Sequence, residues 1–126
     1  MMFRLFFILT IIAYALGAPA VASFTGQGTF YEPGLGACGF TNSASDFVVA
    51  ISHILYDSYQ TASADPNKNP LCGVGITATY NGKSVGVTVV DRCVSCAEGD
   101  LDFSPTAFSQ LASQDLGRIS GVTWSL

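Results

Sequence analysis

The dipeptide Asn81-Gly82, set between two runs of alternating residues, constrains this chain more than any other feature. Both residues tolerate the positive φ that a two-residue type I′ turn demands, and that turn matches the twist of the strands it joins. It sets Tyr80 opposite Lys83, Ala78 opposite Val85 and Ile76 opposite Val87. In that register Ile76 and Ala78 share a face with Val85, Val87 and Val89, while Thr77, Thr79, Ser84 and Thr88 fall on the other. Turn chemistry and period-two pattern therefore predict one hairpin over Gly75–Val90.

The rest of the chain reads as short strands between loops. Ser23–Tyr31 predicts a first strand broken by Gly26 and Gly28, and the loop Glu32–Gly36 follows. Phe47–Ile51 is a continuous apolar run, the pattern of a buried strand. Ser52–Tyr59 fits one helical turn or irregular structure, and Thr61–Pro70 is a polar loop. Ser104-Pro105 starts a short helix, with Ser104 as N-cap and Pro105 at the first helical position. Ala107, Phe108, Leu111 and Ala112 form its apolar stripe, and Gly117 is its expected stop. Val122, Trp124 and Leu126 alternate as a last strand facing the core. The chain is mostly β, and periodicity alone leaves barrel and sandwich both open.

Met1–Ala22 has the build of a secretory signal peptide: Arg4, the uncharged apolar run Leu5–Leu16, and Ala20-Val21-Ala22 as cleavage site. The apolar run is too short for a span of about 20 residues. One domain over residues 23–126 remains, expected to be secreted and monomeric. Nine acidic residues face five basic ones, which argues against phosphate-neutralising nucleic-acid binding. Lys68 and Lys83 are the only lysines, too few for a polybasic membrane anchor. Cys38, Cys72, Cys93 and Cys96 form an even set, read as two disulfides in an oxidising compartment with three pairings possible. Cys93 and Cys96 make a C-x-x-C, but no second such pair or histidine pair accompanies them, so no metal is expected. No phosphate loop or dinucleotide fingerprint is evident, and no cofactor is expected.

Four segments carry a resemblance when taken together. They are Gly28-Thr29-Phe30-Tyr31 with Ala37-Cys38-Gly39; Leu71-Cys72-Gly73; Val87–Cys93, containing Asp91-Arg92-Cys93; and Asp100–Phe108, containing Asp102. In order and spacing they resemble the six-stranded double-psi β-barrel superfamily: expansin first domains, barwin-like proteins and rare lipoprotein A. The nearest likeness is to small fungal single-domain loosenin-like proteins. The resemblance spans Thr25–Trp124 and implies a double-psi barrel with one or two short helices. It also implies the pairing Cys38–Cys72, which leaves Cys93 with Cys96.

The resemblance further implies a polysaccharide groove. Asp102 matches the groove aspartate on which expansin activity depends and which serves as general acid in hydrolytic relatives. Its place two residues before Ser104 should favour its charged form, through the helix N-terminus; the plain alternative is that Asp102 only helps to cap the helix. Asp91 matches a second groove aspartate. Extrapolating the hairpin points it inward, so either the strand bends there or hydrogen bonds hold the carboxylate, with Arg92 a possible partner. Thr29 matches a groove threonine. Alternation sends one of Phe30 and Tyr31 inward and the other out, and Tyr31 is taken as the outward, sugar-stacking ring. Bacterial expansins carry a groove aromatic where this chain has Cys93.

Hydrolysis needs a second placed carboxylate. Glu32 is the acidic residue nearest to where hydrolytic relatives keep theirs, and it reads as a solvated loop residue. His53 reads as a loop or core-edge residue rather than a base. The expected activity is therefore non-hydrolytic binding and loosening of a wall polysaccharide: cellulose, chitin or peptidoglycan. A protein-binding module, such as a cysteine-protease inhibitor or host-interface effector using Thr61–Pro70, is the alternative. A lytic transglycosylase, which needs no attacking water, is the third.

Overall fold

A computed structural model describes residues 22–61 and 63–126, and the signal-peptide expectation falls on residues outside the described part, apart from Ala22. The elements run β1 (Ser23–Phe30), β2 (Val48–Ser52), α1 (His53–Tyr59), β3 (Gly75–Tyr80), β4 (Lys83–Cys93), β5 (Leu101–Phe103), α2 (Pro105–Ser109) and β6 (Arg118–Ser125). The six strands close into a barrel in the order β1-β5-β2-β4-β3-β6. Two pairs, β1 with β5 and β2 with β4, are parallel, and the other neighbours are antiparallel. The mostly-β closed barrel with two helices and two disulfides is the fold that the resemblance implied, and it resolves the choice between barrel and sandwich that periodicity left open.

The hairpin forms in the expected register, Tyr80 with Lys83, Ala78 with Val85 and Ile76 with Val87. Asn81 and Gly82 take φ of +48° and +78°, as the turn requires. Ile76, Ala78, Val85, Val87 and Val89 all point into the core, where they meet Val49, Ile51, Leu101, Phe103, Phe108 and Val122. Trp124 is core as expected. Its ring stacks on Phe24 with centroids 4.5 Å apart, and its indole N–H donates to the Gly99 carbonyl at 3.0 Å.

Helix α2 opens as the sequence predicts. The Ser104 hydroxyl accepts from the Ala107 N–H at 3.4 Å, and Pro105 takes the first turn. The stripe of Ala107, Phe108 and Leu111 is buried. Gly117 does not stop this helix, which ends at Ser109; it closes a separate 3-10 turn over Gln114–Leu116, with φ +67°. Ser52–Tyr59, left undecided by pattern, contains α1. Buried Ser52 caps it by accepting from the Leu55 N–H at 3.1 Å while donating to the Glu98 carbonyl at 3.0 Å.

Gly26 and Gly28 do not break β1. A Cβ on Gly26 would stand 2.2 Å from the Gly99 carbonyl oxygen, so this glycine lets the segment before β5 cross β1 at backbone contact. Such a clash has no flexible side chain to absorb it. Gly26→Ala is expected to cost about 2–4 kcal/mol. Gly86→Ala, with nothing within 4 Å of its Cβ, should change stability by less than about 1 kcal/mol. Urea unfolding of the two variants checks the contrast.

The disulfides are Cys38–Cys72 and Cys93–Cys96, the pairing that the resemblance implied. They close loops of very different length, with sequence separations of 34 and 3. In the chain-entropy account, removing the first as a double Cys→Ser variant costs about 4 kcal/mol and removing the second about 2. Equal losses in urea unfolding would contradict that account.

Candidate functional site

The site follows from one row of register partners. Thr29 of β1 lies beside Asp102 of β5, Asp102 beside Ala50 of β2, and Ala50 beside Asp91 of β4. Residues directly opposite in a sheet share a face. Thr29, Asp102, Ala50 and Asp91 therefore line a single face of four adjacent strands. On the other side of β1, Thr29 pairs with Arg118 of β6, which extends the row by one strand.

Asp91 reaches this row through a bulge. Val49 pairs with Val89, but Ala50 pairs with Asp91, so Val90 is one residue too many on β4. Val89 and Val90 are both buried, and beyond them the alternation is reversed. The inward direction extrapolated from the hairpin is thus overturned, and the strand does bend. Arg92 is not the partner of the Asp91 carboxylate through its guanidinium, which instead forks onto Asp57 with bonds of 2.8 and 2.6 Å. Asp91 Oδ1 accepts from two backbone amides, Ala37 N–H and Arg92 N–H, each at 2.8 Å. The carboxylate so ties the loop after β1 to the barrel. Gly36 makes the approach possible, since a Cβ there would stand 2.5 Å from the Val90 carbonyl oxygen. The Cys38–Cys72 disulfide and a bond from Cys38 N–H to that carbonyl, at 3.2 Å, complete the tether.

Asp102 is half-buried between the fully buried Leu101 and Phe103. The Thr29 hydroxyl donates to its Oδ1 at 2.9 Å. Burial raises its pKa above the ordinary carboxylate range. The Thr29 bond and the charge of Arg118 oppose the shift, and the charge of Asp91 adds to it. The net shift is upward, opposite to the direction expected from the helix N-terminus, and α2 is only one short turn. Asp102 does not cap that helix either; Ser104 does.

Phe30 and Tyr31 divide as alternation requires. Phe30 packs inward, its ring 4.9 Å from that of Phe108. Tyr31 lies on the side of the row, half-buried against Ala50 and the Cys93–Cys96 disulfide. Burial and the neighbouring Asp91 and Asp102 push its phenol pKa far up, so it stays protonated. Cys93 is buried in the small cluster against which Tyr31 packs. Glu32 is exposed on the loop beyond. His53 is the first residue of α1, its Nδ1 3.3 Å from the Cys93 carbonyl oxygen. The loop over Thr61–Pro70 contains a 3-10 turn at Pro66–Lys68, and buried Asn69 bonds it to the Tyr56 carbonyl at 2.8 Å.

Sequence reasoning missed Arg118 and the Ala37 amide. A signal for both exists. Val89-Val90 and Ile119…Val122 each break a period-two pattern at one step, and such a break marks a bulge that re-aims everything after it.

The pKa of Asp102 has a consequence for stability. A carboxyl whose folded pKa lies above its unfolded value destabilises the fold progressively as pH rises through the folded value. Asp102→Asn should therefore unfold at a higher temperature than wild type at pH 7, with the gap closing below about pH 4, the unfolded pKa. Thr29→Val removes a donor to the charged form and should raise the Asp102 pKa further, read by carboxyl NMR titration.

The family model described as "Lytic transglycolase" matches residues 23–123. A papain inhibitor of Streptomyces mobaraensis is 38% identical over 109 residues, covering 84% of this chain and 73% of the relative. The solved Streptomyces papain inhibitor superposes with a TM-score of 0.73 over 82% of this chain and 93% of its own. "Allergen Asp f 7" of Aspergillus fumigatus is 39% identical over 115 residues, 86% of this chain but 37% of the allergen. A mutant expansin of Clavibacter michiganensis, solved in complex with cellohexaose, shares the fold at 24% identity, with a TM-score of 0.66 over 83% of this chain and 50% of its own. The closed six-stranded barrel, its two parallel strand pairs and the match over residues 23–123 together place this chain in the double-psi β-barrel family described as lytic transglycolase.

Proposed function

We propose that residues 23–126 act outside the cell as a module that binds a wall polysaccharide and weakens contacts between its chains without cutting them. Residues 1–22 are removed as a signal peptide in this reading. Among the described residues, no helix is long and apolar enough to cross a membrane. The observation that carries the proposal is the single row that sets Thr29, Asp102 and Asp91 on one face beside Tyr31. A chain of sugar hydroxyls meets there two carboxyls, a hydroxyl and a ring.

Each residue has a distinct part. Asp102 bonds sugar hydroxyls, and its raised pKa lets it donate as well as accept over a wider span of acidic pH. Thr29 orients Asp102 through their bond. Asp91 holds the neighbouring loop, and Tyr31 offers the ring for stacking. Non-cutting action is supported by the same geometry. Asp91 Oδ1 is already occupied by two amide donors, and Glu32 is exposed on its loop. Asp91 is thus engaged through Oδ1 in holding the loop, and Glu32 stands in solvent rather than in the row. The expansin of the same fold was solved with cellohexaose, a glycan of the proposed class.

The test is depletion of the protein on insoluble cellulose, chitin and peptidoglycan, with wild type beside Asp102→Asn and circular dichroism on both. Expected is binding to one polymer that falls about tenfold in the variant, the loss of one or two charge-assisted bonds. Release of soluble fragments that Asp102→Asn abolishes would replace the reading with a transglycosylase.

A second reading rests on the 38% identity with the papain inhibitor over most of both chains. There the partner is a papain-like cysteine protease, held by loops rather than by the row. No depletion on any polymer, with inhibition of papain that Asp102→Asn leaves intact, would establish that reading over the first.

A further inference from the structure

The outward faces of β1, β6 and β3 form a shallow hollow of about 330 Å³, whose lining includes neither Asp102 nor Asp91. Its side chains are almost all hydroxyls: Ser23, Thr25, Thr77, Thr79, Thr123 and Ser125, with Phe24 and Trp124 beneath. Thr25, Thr123 and Thr79 are direct register partners across three strands. They stand about 4.8 Å apart from strand to strand. Ser23 and Ser125 pair in the next outward-facing row. Among the described residues, Thr79 is the one lining hydroxyl whose side chain bonds another protein group, Ser84 Oγ at 2.8 Å.

The hollow is continuous with the row of Thr29. Gly26 pairs with Val122 and Gln27 with Ser120, so Gly121, at φ +86°, is an extra residue in β6. The bulge resets the alternation. Ser125, Thr123, Ser120 and Arg118 of β6 therefore keep company, step by step, with Ser23, Thr25, Gln27 and Thr29 of β1. The Arg118 guanidinium donates to Gln27 Oε1, midway between the two sites. From Thr25 to Thr29 the distance along the strand is about 13 Å.

The chemistry of the lining selects the ligand. No charged side chain lines the hollow, so nothing in it favours an ion over water. Trp124 is 4% exposed, so no protruding aromatic anchors a protein partner there. All three strands are paired on both sides in the closed barrel, so no free edge accepts an added strand. A set of hydroxyls, each able to donate and accept, matches a neutral polyhydroxyl chain.

We propose that this hollow is a second glycan subsite, and that one polysaccharide chain runs along β1 from Thr29 and Asp102 to Thr25 and Thr123. The proposal rests on the polysaccharide reading of the row and extends it to the length of chain recognised. It is tested by amide NMR titration of residues 23–126 with the disaccharides and hexasaccharides of cellulose, chitin and the peptidoglycan glycan. A disaccharide should shift the amides of Thr29 and Asp102. A hexasaccharide should also shift Thr25, Thr79 and Thr123. The double variant Thr79→Val, Thr123→Val keeps a β-branched shape at a half-buried and an exposed strand position, so the barrel should stay folded. It should weaken the hexasaccharide about fivefold to tenfold and leave the disaccharide unchanged.

A hexasaccharide that shifts only the amides near Asp102, or binds the double variant as well as wild type, overturns the second subsite and leaves the first reading standing. Shifts at the threonines with none near Asp102 overturn the reading of the row, and with it the continuity claimed here. No shift with any of the six sugars overturns both.

Discussion

One extra residue in β4 governs the site. If Val90 were not bulged, Asp91 would follow Val87 and Val89 into the core, where an unpaired carboxylate costs several kcal/mol. The bulge instead buries Val90 and turns Asp91 outward to pair with Ala50. Its carboxylate then satisfies the Ala37 and Arg92 amides. The loop between β1 and β2 is fixed against the barrel by that contact and by Cys38–Cys72. A second bulge, at Gly121, does the equivalent for β6 by bringing Arg118 level with Thr29. Two single-residue irregularities thus assemble a five-strand row from residues that strict alternation would have scattered between inside and outside.

The electrostatics of the row show which local effect dominates. A helix terminus two residues away favours a charged Asp102, but a single-turn helix offers little, and its Thr106 and Ala107 amides are claimed by the Ala44 carbonyl and the Ser104 hydroxyl. Burial of the carboxyl on the face of the row acts on it directly and sets the net direction. The same burial keeps Tyr31 protonated beside two acids. A half-buried acid, a phenol that stays neutral and a carboxylate anchored through one oxygen by two amides thus share one side of the barrel.

Much of this was legible in the residues. The hairpin was readable because Asn81-Gly82 and the flanking alternation are both local, and they agree. The start of α2 was readable for the same reason, since Ser104 and Pro105 act within one turn. Thr29, Tyr31, Asp91 and Asp102 were brought together by likeness to a family, and the register now supplies the geometry of that grouping. The partner of Arg92 was not readable, because Asp57 sits on a helix whose existence the pattern left undecided. Nor was the role of Gly26, which looks like a strand breaker until Gly99 is seen crossing it.

The sequence by itself determined the strand pattern, the hairpin register, the cap of α2 and the set of four cysteines available for pairing. Each of these depends on residues a few positions apart, whose preferences hold wherever the segment lies. The tertiary structure alone decided the phase of β4 after Val90 and of β6 after Gly121, the direction of the Asp102 pKa and the continuity of the hydroxyl face with the row. A bulge is placed by the strand that pairs with it, and a pKa by what excludes water from the group. Both depend on neighbours distant in sequence, such as Thr29 and Asp102, 73 positions apart, that meet only when the barrel closes.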